Sequence, residues 1–270
     1  MFRLQGFAYK TQHPAKAATQ QPNADMTARG HHFALILDGV SGVPPPLRPE
    51  ALSEDLRNCL RFNLQRRLAA GVDRSAYDQA VIQAIGGSPV ANDPAGGWLC
   101  RLVHFSAQQT TALGSTVLAV VSVIGKKLTY TYLGDCAIMI FRKNEILSTF
   151  TTHFVTTPQH MPMQDAGGNT VMGPKQLTIY EESHRSTESL SNMVGAASYG
   201  VVPDVKKNDV VVVCSDGITD NVPINIVRHF VEIGYESGPQ QIAYDIVEHA
   251  CRANAPKPDD ISIYVGFIVE

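Results

Sequence analysis

The sequence predicts an α+β fold in which two antiparallel β-sheets pack face to face and pairs of helices cover their outer faces. Two observations point there. Strand-like runs come as meanders joined by short turns, with helical patterns inserted in pairs, unlike the strict strand–helix alternation of a doubly wound parallel sheet. The run over 210–213 is valine at every position, as in a strand covered on both faces. A chain of 270 residues, 44% hydrophobic, has ample material for a large core. No internal repeat and no linker rich in Pro, Gly or Ser divides it, so one domain over residues 1–270 is expected.

The elements follow in order. Residues 2–9 alternate apolar and polar, which predicts a first strand. Arg3, Lys10 and Lys16 precede the first acid, Asp25, a composition shared with transit peptides, but the alternation and the lack of an apolar block favour the strand. A polar stretch over 11–23 leads to a second strand over 33–37. Pro44, Pro45 and Pro46 impose an extended link. A helix begins near Pro49, carries Leu52, Leu56, Leu60, Leu64 and Leu68 at i, i+4 spacing, and closes at Gly71. A second helix is expected over 75–85, and 86–97 reads as a loop. Strands over 116–124, 128–133 and 136–141 read as one antiparallel meander. Residues 148–198 show no regular period. A buried strand over 210–214, amphipathic helices over 223–233 and 239–253, and a last strand over 261–269 complete the chain.

Composition removes several functions. The net charge of −3, with no basic stripe and no interleaved aromatics, argues against nucleic acid as a partner. The apolar runs are too short for a transmembrane segment. Cys59, Cys100, Cys136, Cys214 and Cys251 are odd in number and far apart, with no Cys-x-x-Cys pair, which disfavours zinc and a disulfide framework. Reduced, buried thiols in an intracellular compartment are expected.

Acids recur where strands end. Asp38-Gly39 follows the run over 33–37, Ser215-Asp216-Gly217 follows the run over 210–214, and Asp259-Asp260 opens the last strand. Leu133-Gly134-Asp135 also closes a strand-like run. Asp-Gly alone is a common turn dipeptide. Three carboxylates delivered on rigid strand ends, if gathered, make a hard oxygen-rich pocket suited to Mg²⁺ or Mn²⁺.

These motifs, with His13-Pro14-Ala15-Lys16, Asp38-Gly39-Val40-Ser41-Gly42, Gly114-Ser115-Thr116, Leu133-Gly134-Asp135-Cys136, His153-Phe154 with Thr157-Pro158, Ser215-Asp216-Gly217-Ile218-Thr219-Asp220-Asn221 and Asp259-Asp260-Ile261-Ser262, occur in one order. In that order the chain resembles the metal-dependent serine/threonine protein phosphatases of type 2C, and looks closest to the branch that includes mitochondrial members. The resemblance implies a four-layer α-β-β-α sandwich with its site in a cleft at one end. It implies that Asp38, Asp216 and Asp259, with the carbonyl of Gly39, bind two Mn²⁺ or Mg²⁺ ions. Asp135 and Asp220 match acids that hold a third, looser ion. Asp25 would support the ligands from behind, and Lys16 is the candidate for gripping phosphate where many members use an arginine.

The implied activity is hydrolysis of phosphoserine and phosphothreonine in a phosphoprotein substrate by a metal-activated water, with no side-chain nucleophile. A monomer in the cytoplasm or mitochondrion is expected. One departure matters. Asn23-Ala24-Asp25-Met26 stands where the family has Gly-Glu-Asp-Ala, so Ala24 replaces a glutamate that helps hold the second ion. The alternative is therefore a pseudophosphatase, a binding or regulatory module with a weak metal pair. Ser41 for Gly is a milder departure. A two-metal phosphodiesterase or nuclease is disfavoured by the lack of basic surface.

Overall fold

The computed structural model of the protein describes residues 2–40, 47–86, 97–144, 149–164, 169–252 and 258–270. Ser41, Pro44 to Pro46, most of the loop expected over 86–97, and Gly167-Gly168 lie outside these residues. Strand β1 (Arg3–Gln12) pairs along its whole length with β13 (Asp260–Val269). The first sheet continues through β12 (Val210–Cys214), β6 (Ala137–Asn144) and β7 (Thr149–Val155), in the order β1-β13-β12-β6-β7. The second runs β11 (Ser198–Val202), β5 (Lys127–Leu133), β4 (Gly114–Ile124), β3 (Phe33–Gly39) and β2 (Met26–Arg29) in that order, with β10 (Leu177–Ile179) also on β4. Strands β8 (His160–Gln164) and β9 (Thr170–Pro174) form a separate hairpin. All these pairings are antiparallel.

Period-two alternation builds the layers. Leu35 and Leu37 on β3 face α2 (Pro49–Ala69) and α4 (Gly97–Gln108), while Ala34 and Ile36 face the other sheet. Val211 and Val213 meet them from β12. Val210, Val212 and Cys214 turn outward onto α7 (Ile224–Gly234) and α8 (Pro239–Arg252). The leucine stripe of α2 is fully buried from Leu52 to Leu64. Its helix ends before Gly71, whose φ of +55° suits glycine. Helices α3 (Arg74–Ala84) and α5 (Thr187–Gly195) complete the layer on the second sheet.

Two local readings are corrected, and two elements appear where none was assigned. The third strand of the expected meander, β6, leaves its neighbour β5 and joins the other sheet, because Gly134 at φ +90° turns the chain across the sandwich. Residues 97–108, to which no element was assigned, form α4, buried on nearly all sides with polar Arg101, His104 and Ser106 inside it. Residues 148–198 are not irregular. They hold β7 to β10 and α5, but a bulge at His153 reverses the alternation of β7, so Phe150 joins the helix-side core while Phe154 packs between the sheets. Short β2 adds an element between the polar stretch over 11–23 and the strand over 33–37, its four residues being too few to show a usable period. The expectation of buried thiols holds for Cys100, Cys136 and Cys214, but Cys59 and Cys251 are half-buried; none of the five forms a disulfide.

His104 on α4 is wholly buried and neither ring nitrogen has a hydrogen-bond partner. Burial pushes its pKa down to about 4. Between about 6.5 and 4 the unfolded chain binds a proton that the folded chain refuses, so this contribution to stability is complete above pH 6.5 and falls as the pH drops. We expect His104→Leu to remove on the order of 3 kcal/mol of acid-induced loss. Urea midpoints at pH 7 and pH 4.5 for both proteins check this; equal pH dependence would show that His104 is not the source.

Candidate active site

Each acid reaches the site by a separate structural route. Asp38 shares the parity of Ala34 and Ile36, so its side chain belongs to the inter-sheet layer where β3 runs out. Its carbonyl accepts a hydrogen bond from Thr116 Oγ1 (3.0 Å), which itself accepts one from Ser53 Oγ (3.0 Å). Asp216 opens the short helix α6 (Asp216–Thr219) directly after β12. The intervening Ser215 is locked to β13: its N–H donates to the Ser262 carbonyl (3.1 Å), and Ser262 N–H donates to Ser215 Oγ (3.0 Å). Asp259 precedes β13, and its Oδ1 accepts from the Asp260 N–H at 2.9 Å.

Asp38, Gly39, Asp135, Asp216 and Asp259 line one cavity of about 180 Å³, with Pro174 from the root of the β8–β9 hairpin on its rim. The hairpin root is held there because Gln159 N–H donates to the Gly134 carbonyl (2.8 Å) and Lys175 N–H to the Gln159 carbonyl (3.0 Å). A larger groove of about 670 Å³ beside Arg3, Arg29 and His31 carries no carboxylate, so the smaller cavity is the chemically informative one. Asp220 is brought less close: it caps the C-terminal end of α6, is exposed, and does not line the cavity.

Negative charge is concentrated at the floor. Asp25 is wholly buried, and both its carboxylate oxygens lack a hydrogen-bond partner. Burial, then repulsion from Asp260, raises its pKa to about 7, although the neighbouring hydroxyls of Ser215 and Ser262 pull the other way. Asp38 keeps some exposure to the cavity but is surrounded by protein on most sides. Burial first, then Asp25, Asp216 and Asp259, hold its pKa well above the usual carboxylate range.

Asp260 has a role the sequence did not reveal. It is 1% exposed and ties three segments together. Its Oδ1 accepts from Gln12 Nε2 (2.9 Å) and its Oδ2 from the Ala24 N–H (2.7 Å), while Lys16 Nζ lies 3.0 Å from Oδ2. The visible signal was the second acid of Asp259-Asp260, which a simple strand start would not need. Ala24 lies just ahead of β2 and is itself buried.

Lys16 sits on the short helix α1 (Pro14–Ala17), capped by His13, whose Nδ1 accepts from the Ala15 N–H at 3.2 Å. Its Nζ donates to Asp259 Oδ1 at 2.7 Å. Burial alone would lower the lysine pKa; its bonds with Asp259 and Asp260 outweigh burial and raise it.

Among the described residues, no three Asp, Glu, His or Cys side chains stand close enough together to hold a metal ion as placed. The donor set nevertheless fits a hard divalent cation. It is all carboxylate and carbonyl oxygen, and the buried, unsatisfied Asp25 beneath a strongly perturbed Asp38 marks an excess of negative charge.

No protein-family model matches the chain. It is 26% identical over 231 residues to the rice (Oryza sativa subsp. japonica) "Putative protein phosphatase 2C 24", covering 74% of this chain and 66% of that protein. It is 30% identical over 123 residues to the Schizosaccharomyces pombe 5-azacytidine resistance protein azr1, covering 44% of this chain and 36% of the relative. The chain thus spans less than two thirds of either relative's length. Among solved structures, the photosystem II phosphatase PBCP aligns with a TM-score of 0.67 at 20% identity over 98% of this chain and 99% of its own. The catalytic domain of the serine/threonine phosphatase PstP, in complex with 2 manganese ions, aligns at 0.55 and 17% over all of both chains. The phosphatase MsPP from Mycobacterium smegmatis, in complex with cacodylate, aligns at 0.59 and 15% over 99% of each. At these identities the structures speak for the fold: two main antiparallel sheets with helices, as in type 2C phosphatases. The rice relative's name and the shared fold together support the type 2C family, and single out no mitochondrial branch.

Proposed function

We propose that this chain is a metal-dependent protein serine/threonine phosphatase that cleaves phosphoserine and phosphothreonine at a two-ion centre, with residues 1–270 forming one catalytic domain. The observation that carries the reading is the convergence of Asp38, Asp216 and Asp259 on one small cavity from three separate strand ends. Asp38, Asp216 and Asp259, with the Gly39 carbonyl, would hold Mn²⁺ or Mg²⁺, and Asp135 is placed for a third ion. Bound ions would supply Lewis acidity and a water of lowered pKa.

The chain's own part is to hold the carboxylates rigid. Thr116 fixes the backbone at Asp38, the Ser215–Ser262 pair fixes the approach to Asp216, and the Asp260 N–H orients Asp259. A thiolate nucleophile is disfavoured, because burial pushes the Cys214 thiol up to about 12 and Cys136 also upward. Five cysteines without a disulfide fit an intracellular setting, cytoplasm or mitochondrion. Among the described residues no helix is long and apolar enough to cross a membrane.

Ala24 favours a second reading, a regulatory module with little catalysis, since it stands where the resemblance implies a glutamate for the second ion and offers only its N–H, bonded to Asp260 Oδ2. Phosphopeptide hydrolysis across a Mn²⁺ titration tests both. The proposed function predicts activity in the parent, and Ala24→Glu should lower the Mn²⁺ needed for half-maximal rate about tenfold. A parent inactive at every Mn²⁺ level beside an active Ala24→Glu would establish the regulatory reading.

A further inference from the structure

The ammonium of Lys16 reaches Asp259, one of the acids assigned above to metal, and its neighbour Asp260. Its Nζ is 2.7 Å from Asp259 Oδ1 and 3.0 Å from Asp260 Oδ2, and the side chain is 12% exposed. Its placement is built in. The His13 N–H donates to the Asp259 carbonyl (3.0 Å), His13 caps α1, and Pro14 starts the helix, so the backbone carrying Lys16 is pinned to the residue that its side chain reaches.

We propose that Lys16 is a tethered cation that competes with divalent metal for Asp259 and so sets how much metal the site requires. The inference rests on the reading of Asp259 as a metal ligand. An ammonium hydrogen bond to Oδ1 uses a lone pair that a metal ion would take, and its positive charge repels an arriving cation. Asp260 keeps the lysine there, because its carboxylate is fixed by Gln12 and by the Ala24 N–H and does not turn away. Ala24 brings no extra carboxylate to offset the competitor.

Two other roles make different predictions. If Lys16 merely oriented Asp259, replacing it would weaken metal binding. That role is already filled by the Asp260 N–H on the same oxygen at 2.9 Å. If Lys16 gripped the substrate's phosphate, replacing it would leave metal binding unchanged.

The test is calorimetric titration of Mn²⁺ into the metal-free parent, Lys16→Gln, Asp260→Asn and the double variant, with folding checked by circular dichroism. Lys16→Gln should bind Mn²⁺ about tenfold more tightly. Asp260→Asn should bind it several-fold more weakly, since the lysine then rests on Asp259 alone. The double variant, which loses one charge of each sign, should return to within about threefold of the parent. Unchanged or weaker binding in Lys16→Gln overturns the proposal. Should that variant fail to fold, unchanged or tighter binding in Asp260→Asn overturns it equally. If Mn²⁺ binds the parent but the variants do not differ, only the lysine's role is refuted. If Mn²⁺ binds neither the parent nor any variant, the phosphatase reading falls and this inference falls with it.

Discussion

Asp216→Asn is expected to bind Mn²⁺ about 100-fold or more weakly than the parent, because a ligand carboxylate contributes several kcal/mol to an ion in a protected site. The same substitution should make the metal-free protein harder to unfold. Asp216 is 6% exposed and stands beside Asp38, whose pKa is driven up by burial and then by Asp25 and Asp216. An acid whose folded pKa is raised carries a penalty that is absent below about pH 3.8 and grows as the pH rises towards the folded value. At pH 7 the metal-free parent bears that penalty in full or in large part, and the amide relieves some of it, on the order of 1 kcal/mol. The order of stability should then reverse in saturating Mn²⁺, which stabilises whichever protein binds it. Urea midpoints with EDTA and with Mn²⁺, beside a calorimetric titration, measure both effects. Unchanged Mn²⁺ affinity in a folded variant would remove Asp216 from the ligand set.

Gly217→Ala is expected to cost about 3 kcal/mol and to impair metal binding more than the loss of stability alone explains. Gly217 has no positive φ. Its need is for space: a Cβ there would run into the Asp260 carbonyl oxygen and lie 3.0 Å from the carbonyl carbon and 3.2 Å from Ile261 Cγ1. Backbone cannot yield as a side chain can, so α6 must move away from β13, and with it Asp216 from Asp259. Gly125→Ala is the contrasting control. Its φ is +61° with nothing within 4 Å of an added Cβ, so it pays only the backbone strain, roughly 1 kcal/mol. A Gly217→Ala protein within about 0.5 kcal/mol of the parent, a surface-substitution effect, would refute the close-contact explanation.

The Gly217 contact also shows what a sequence conceals. Asp216-Gly217 reads as a turn that needs positive φ, but the glycine serves a contact with a strand more than forty residues away. The leucine stripe of α2 and the valines of β12 were legible because one face or both faces of an element are buried and the pattern repeats. Helix α4 was not, since it is buried nearly all round and Arg101, His104 and Ser106 lie inside rather than on a solvent face. The bulge at His153 hid β7 by shifting its phase, and the crossing at Gly134 moved β6 to the other sheet without any change in strand pattern. At the candidate site the strand-end acids stood out by residue type. Asp260 did not, because its importance lies in whom it holds: Gln12, Lys16 and Ala24 come together only in the fold.

The buried cysteines have a further consequence, for oxidative damage. Peroxide attacks thiolate far faster than thiol, and each step from sulfenic to sulfonic acid begins there. Cys136 follows Asp135 at the cavity and Cys214 lies two residues before Asp216, yet burial keeps both protonated at neutral pH. Half-buried Cys59 and Cys251, away from the cavity on α2 and α8, are also shifted upward, by burial and then by Asp55 and Glu248 respectively. The chain therefore carries sulfur close to its acids without offering an oxidant a reactive form of it, and an oxidising episode that silences thiolate-dependent proteins should leave this carboxylate cluster chemically intact.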